Sequence, residues 1–184
     1  MIKFSCEKVF LQNAIAVTSR AVAQKSSIPA LEGLLIHADQ QLTISGYNMQ
    51  TGIRTNVFAN VVEGGDIVLN ARLFGDIIRR MPDDMITFTA DEKMMVHVSC
   101  GDADFDILGL SAADYPELPE VEDEYAVSMK QSVLRRMIEE VAFAVSTNES
   151  RPVHTGALFE IENMCLNMVA VDGFRLAFRR EKLE

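Results

Sequence analysis

The opening of one structure is written twice in this chain. Ser5-Cys6-Glu7-Lys8-Val9-Phe10-Leu11 returns as Ser128-Met129-Lys130-Gln131-Ser132-Val133-Leu134, Ile15 answers to Ile138, and Ala21-Val22 to Ala144-Val145. Gly33-Leu34-Leu35-Ile36 is echoed by Gly156-Ala157-Leu158-Phe159. The offset from Ser5 to Ser128 is 123 residues, and it becomes 124 after one insertion near Met164. A repeat of that length is a whole domain rather than a solenoid unit. The pattern predicts one domain over residues 1–120 and the first half of a second over 121–184, which stops about half way through its copy.

Hydrophobic periodicity fills in the elements. Three segments carry a helical period, at 7–23, 71–81 and 130–145. The first is expected to turn Phe10, Leu11, Ala14, Ile15, Val17, Ala21 and Val22 inward. The second turns Leu73, Phe74, Ile77, Ile78 and Met81 inward, and the third Val133, Leu134, Met137, Ile138, Val141 and Val145. Phe143 falls on the polar side of the third and breaks its pattern. Short strands are predicted at 33–38, 42–45, 53–58, 67–69, 85–90, 94–99 and 104–108, then at 157–161, 165–171 and 174–180. Glu63-Gly64-Gly65-Asp66 and Asp91-Glu92-Lys93 read as hairpin turns. Many strands with two segregated helices per repeat specify an α+β fold, helices packed on antiparallel sheet. Residues 113–124, with two prolines and six acids, read as the linker between the repeats.

The net charge is −10, which taken alone argues against nucleic acid as a partner. The distribution points the other way. The three helical segments, with Lys25 added to the first, hold nine cations (Lys8, Arg20, Lys25, Arg72, Arg79, Arg80, Lys130, Arg135, Arg136) against four acids (Glu7, Asp76, Glu139, Glu140). They sum to +5 and leave −15 for the rest. Either the helices carry Lys and Arg for propensity and solubility, or a basic helical surface meets phosphates without reading bases. Three cysteines (Cys6, Cys100, Cys165) lack metal or redox spacing and read as reduced core fillers in a cytoplasmic protein. No signal peptide, membrane span, phosphate loop, dinucleotide fingerprint or nucleophile motif is expected from the sequence.

Three motifs resemble the bacterial sliding clamps, the β subunits of DNA polymerase III: Leu110-Ser111-Ala112-Ala113-Asp114-Tyr115-Pro116-Glu117-Leu118, Val171-Asp172-Gly173-Phe174-Arg175-Leu176-Ala177, and Ile28-Pro29-Ala30-Leu31-Glu32-Gly33. The resemblance is colinear over the whole chain. It implies three clamp domains per polypeptide, of which this chain holds the first and half of the second, with the third absent. It also implies a head-to-tail homodimeric ring around duplex DNA, a non-catalytic processivity factor without cofactor or metal. Its implied partners are the polymerase III catalytic subunit, clamp-loader subunits, and other polymerases and repair proteins that dock through short linear motifs.

By the resemblance, Lys25 and Arg72 hold DNA-contact positions, and Asn148, Pro152 and Val153 fall where the family has a polar residue and two aromatics at DNA. Pro152 and Val153 depart from those aromatics. Arg20, Arg79, Arg80, Arg135 and Arg136 are added from the helical wheels. The resemblance places a partner-peptide pocket at His154, Val171, Gly173, Phe174, Arg175 and Leu176, with Phe174 in place of a histidine and His154 in place of a leucine. Without it, Val171, Phe174 and Leu176 read equally as strand core. Asp102, Asp104 and Asp106 alternate with Ala103 and Phe105, which puts all three acids on one strand face. They form a charged sheet edge that guards against aggregation, at the family's subunit interface, or a hard-metal site. Two other functions therefore stand beside the clamp: a peptide-docking module without DNA binding, and an acidic metal-dependent hydrolase using those three aspartates.

Overall fold

The computed structural model describes residues 1–121 and 126–183 and divides into two compact units, Met1–Pro119 and Glu120–Glu184. The acids Glu122, Asp123 and Glu124 of the predicted linker lie outside the described residues.

Unit 1 opens with β1 (Ile2–Glu7), α1 (Lys8–Thr18), β2 (Gly33–Ala38), β3 (Leu42–Tyr47) and β4 (Gly52–Val57). After β5 (Asn60–Glu63) the same order recurs as β6 (Gly65–Asn70), α2 (Ala71–Arg80), β7 (Met85–Ala90), β8 (Met95–Cys100) and β9 (Ala103–Leu108). The unit is thus two β-α-β-β-β halves that exchange their first strands. One antiparallel sheet runs β5-β1-β7-β8-β9 and the other β4-β3-β2-β6. In both exchanges the residue before the helix faces the first residue of the other half's strand: Glu7 opposite Met85, and Asn70 opposite Gly33. The shared core contains Phe4, Ile36, Phe74 and Phe88, with the Phe4 and Phe88 rings stacked 4.5 Å apart. The helices touch at Gly75, where a Cβ would stand 3.3 Å from the Ile15 methyl. Gly46 brings β3 against the end of α1, since a Cβ there would collide with the Thr18 carbonyl.

Unit 2 has the helix and the three following strands of one such half. After α3 (Gln131–Val141) come β10 (Leu158–Glu162), β11 (Cys165–Val171) and β12 (Leu176–Lys182) in a three-stranded sheet of that order. Met137, Val141 and Ala144 pack on Leu166, Met168, Ala170 and Ala177.

Several sequence expectations change. Strands at 33–38, 85–90 and 165–171 have the predicted bounds, but β1 and β5 were not anticipated. α1 ends at Thr18 and gives way to a 3-10 turn, Ser19–Ala21, so a wheel extended to residue 23 loses its phase. Its buried stripe is Lys8, Leu11, Ala14, Ile15 and Thr18, whereas Phe10 and Val17 are exposed. Leu73 of α2 and Ile138 of α3 are likewise exposed. The Asp91 turn joins a hairpin, its Oδ1 accepting from Lys93 and Met95 N–H at 2.8 Å. The Glu63–Asp66 corner instead passes from one sheet to the other. The first part of the predicted linker is core: Tyr115 is buried with its hydroxyl 3.3 Å from the Ser45 carbonyl, and Leu118 packs over Gly52.

Candidate nucleic-acid interface

α2 begins on a cap, Asn70 Oδ1 accepting from Leu73 N–H at 3.0 Å, and ends on the cations Arg79 and Arg80. Basic residues in the last turn complement the helix dipole. The apolar residues Ala71, Phe74 and Ile78 face the core, which leaves Arg72, Arg79 and Arg80 in solvent. Beside it, α1 and α2 border a shallow groove of about 250 Å³ floored by Ala16 and Gly75 and edged by Gln12, Ser19, Arg72 and Arg79. Small residues on the floor keep it open. Arg20 and Lys25 follow α1 and are exposed. Arg79 is held by Asp76 at 2.8 Å, while Arg20, Lys25, Arg72 and Arg80 have no ion pair among the described residues.

The basic outer helix faces expected from the sequence need correction. The one charge in α1 is Lys8, and it is buried: its Nζ lies 2.7 Å from Asp83 Oδ1 and its backbone N–H donates to the Asp84 carbonyl at 3.1 Å. The solvent face of α1 is apolar and neutral, with Phe10 edge-on to the exposed Phe58. On α3 the cations are balanced. Arg135 pairs with Glu139 at 2.9 Å, and Arg136 lies 4.0 Å from both Glu140 and Glu181. Arg179 joins the same network, 2.9 Å from Glu140 and 2.8 Å from Glu181. Of the cations on and just after the helices, those without an ion pair among the described residues therefore sit on α2 and just after α1. Gln12 and Ser19 of the groove were missed because neutral polar residues leave no signature in a charge count.

In unit 2, Asn148, Pro152, Val153 and His154 share one loop, closed by Ser146 N–H donating to the His154 carbonyl at 2.8 Å. Asn148 is spent locally, its Oδ1 accepting from Ser150 N–H at 3.0 Å. Val171, Gly173, Phe174, Arg175 and Leu176 form the β11–β12 turn at the same end of the sheet. Asp172, absent from the sequence candidates, builds this turn. Its Oδ1 accepts from Phe174 N–H at 2.9 Å and Arg175 N–H at 2.8 Å, and its Oδ2 takes the Arg175 guanidinium at 2.6 Å. Those backbone donors, with Arg175 beside them, lower the carboxyl to about 2. Gly173 adopts φ +94°, and Phe174 is held fully in solvent while Leu176 is exposed. The core-strand alternative for Phe174 and Leu176 is thereby overturned. An Asp-Gly at a strand break was the available signal for the turn.

The aspartate row also separates. Asp102 sits with Gly101 in the β8–β9 turn, so only Asp104 and Asp106 share the strand face on edge strand β9. Asp106 Oδ1 lies 2.9 Å from His97 Nδ1. Among the described residues no three His, Cys, Asp or Glu side chains are placed to hold a metal ion.

Comparison with known families decides the relationship. The model of the DNA polymerase III beta subunit N-terminal domain matches residues 2–119, and that of the central domain matches residues 128–184. The chain belongs to the DNA polymerase III beta subunit family. The beta sliding clamp of Halalkalibacterium halodurans is 35% identical over 187 residues, covering 96% of this chain and 48% of that protein. The clamp of Bacillus subtilis is 29% identical over 192 residues, covering 100% and 51%. The crystal structure of the B. subtilis DNA polymerase sliding clamp superposes with a TM-score of 0.94 at 30% identity, over 100% of this chain and 50% of that one. The beta subunit from DNA polymerase of Streptococcus pyogenes gives 0.93 at 31%, over the same shares. The chain spans about half the length of these clamp relatives. Its fold is the α+β clamp fold of this family.

Proposed function

We propose that the chain acts as part of a processivity clamp, a ring closed head-to-tail around duplex DNA that slides without sequence preference and tethers a polymerase. The observation that carries this reading is the pair of family matches, N-terminal then central domain, each falling on one compact unit. In this reading residues 1–120 are clamp domain 1 and 121–184 belong to domain 2. Arg20, Lys25, Arg72 and Arg80, free of carboxylate partners among the described residues, supply screened phosphate contacts. Arg79 adds a weaker one. Arg135 and Arg136, tied to Glu139 and Glu140, contribute least. Asn148, Pro152 and Val153 contact the sugar-phosphate edge through an exposed loop rather than through stacked rings.

Phe174, with Val171, Gly173, Arg175, Leu176 and His154, offers an apolar anchor point for linear motifs of replication partners. Asp104 and Asp106 on β9, with Asp102 at its head, form an acidic subunit edge suited to a basic partner strand. The protein carries no chemistry of its own and works in the bacterial cytoplasm. Among the described residues, no helix is long and apolar enough to cross a membrane. In a clamp of full family length, Arg72→Glu with Lys25→Glu is expected to shorten primer-extension products and flatten the salt dependence of DNA association. Unchanged product length in that assay overturns the DNA-contact assignment.

A further inference from the structure

Unit 1 wears a strap over the outer face of its four-stranded sheet. That face carries Leu35, Tyr47 and Val68, which join Ala30 and Leu31 in an apolar cluster separate from the main core. Residues 110–118 cross it, and their fastening changes along the way. Leu110 exchanges two backbone hydrogen bonds with Val68, at 2.8 and 3.0 Å. Ser111 Oγ accepts from Ala113 N–H at 3.2 Å, and Tyr115 N–H donates to the Ala112 carbonyl at 3.0 Å. Tyr115 itself is buried, and its hydroxyl donates to the Ser45 carbonyl. Beyond Tyr115 the polar fastening stops. Among the described residues, Pro116, Glu117, Leu118 and Pro119 make no hydrogen bond or ion pair.

Leu118 is held by a socket instead. A Cβ on Gly52 would stand 2.9 Å from Leu118 Cδ2, 3.1 Å from its Cγ and 3.3 Å from the Tyr47 ring. The leucine therefore occupies space that any side chain at position 52 would fill. Glycine in a strand costs about 1 kcal/mol, and it often marks the close approach of a ligand or another backbone. Tyr47 pairs with Gly52 as Val171 pairs with Leu176, so unit 2 has a full side chain at this place and the socket belongs to unit 1. Met49, at φ 71° in the turn before Gly52, is 57% exposed. Its flexible thioether suits apolar partners of varied shape. Arg54 lies two residues beyond Gly52 on the same strand face, exposed and without an ion pair among the described residues. The seated leucine has acids close by in sequence, Glu117 and Glu120.

We infer that this socket is a docking site for an acidic, extended peptide of a partner protein, whose leucine replaces Leu118 while Tyr115 stays in place. Leu118 is the built-in competitor. It has no polar bond to break, and its release leaves the hydrogen-bonded part of the strap intact. A site that is open part of the time binds more weakly in proportion to the open fraction, so Leu118 sets the affinity. The inference stands on unit 1 alone and depends neither on DNA contact nor on docking at Phe174.

The probes are two synthetic peptides with blocked ends, Asp-Glu-Leu-Asp-Glu and Lys-Arg-Leu-Lys-Arg. Each is titrated into the 184-residue chain and followed by NMR at the Met49 methyl and the Gly52 amide. The acidic peptide is expected to shift both signals in the wild type, and the basic peptide neither. Leu118→Ala should lower the half-saturating concentration of the acidic peptide by about tenfold or more. Gly52→Leu, added to Leu118→Ala, should abolish the shift at Met49. Arg54→Glu, at an exposed position that leaves the fold untouched, should weaken binding several-fold. A wild type that binds neither peptide overturns the proposal, even if Leu118→Ala binds. So does a Leu118→Ala variant no tighter than wild type, equal binding of the two peptides, or binding that survives Gly52→Leu.

Discussion

Unit 1 and unit 2 begin from matching sequence and reach different degrees of closure. In unit 1 the apolar residues of β2 and of α1's Ile15 disappear between two halves, while in unit 2 the matching residues of β10 and α3 remain in water. A β-α-β-β-β half has one helix, which covers two of its three strands. A sealed core needs a second helix and one borrowed strand. Since hydrophobic stabilisation scales with apolar area removed from water, unit 2 is the weaker body, and unfolding of the chain should resolve into two steps.

The sharpest break is a matched pair of truncations. Phe88→Ala, in the stack with Phe4, is expected to cost unit 1 about 3–5 kcal/mol. Phe159→Ala, at a half-exposed position, should cost unit 2 about 1 kcal/mol or less. Urea titrations followed by hydrogen exchange in each unit separate the two. Equal losses would mean that β10 is already sealed.

Next in size is Gly46. Its counterpart in unit 2 is Ala170, buried and tolerated, but in unit 1 the Thr18 carbonyl occupies the Cβ position. Gly46→Ala should cost about 1–3 kcal/mol, and Ala170→Gly about 1 kcal/mol, both read from thermal melts. A smaller difference concerns the helix starts. Lys8 is buried and held by Asp83, whereas unit 2 has the exposed Gln131. Asp83 is largely in solvent, so Asp83→Ala is expected to cost about 1 kcal/mol, and Lys8→Gln with Asp83→Ala to recover part of it.

The smallest effect distinguishes two turns of one design. Asn48 Oδ1 accepts from Gln50 and Thr51 N–H at 3.0 and 2.7 Å, as Asp172 does from Phe174 and Arg175, but only Asp172 can be protonated. Its carboxyl is lowered from 3.8 to about 2 by the backbone donors first and Arg175 after them. The folded state thus holds this proton less tightly than the unfolded chain. The turn stabilises unit 2 above pH 3.8 and loses that contribution as pH falls toward 2. Acid titration of hydrogen exchange should loosen the β11–β12 turn before the β3–β4 turn, and Asp172→Asn should abolish the difference.

The sequence by itself determined the repeat, the three helices, the bounds of β2, β7 and β11, and the family, because each is written in local periodicity or contiguous motif. It missed β1 and β5, whose strand identity rests on partners far along the chain. It misjudged which cations are available: Lys8 is claimed by Asp83, and Arg135 and Arg136 by nearby glutamates. The exchange of first strands, the burial of Tyr115 and the carboxylate partners of the buried Lys8 and of Arg135 were decided only by tertiary structure. Strand pairing and ion pairing are non-local. A side chain's periodicity selects its face, but only the folded chain decides whether anything lies against it.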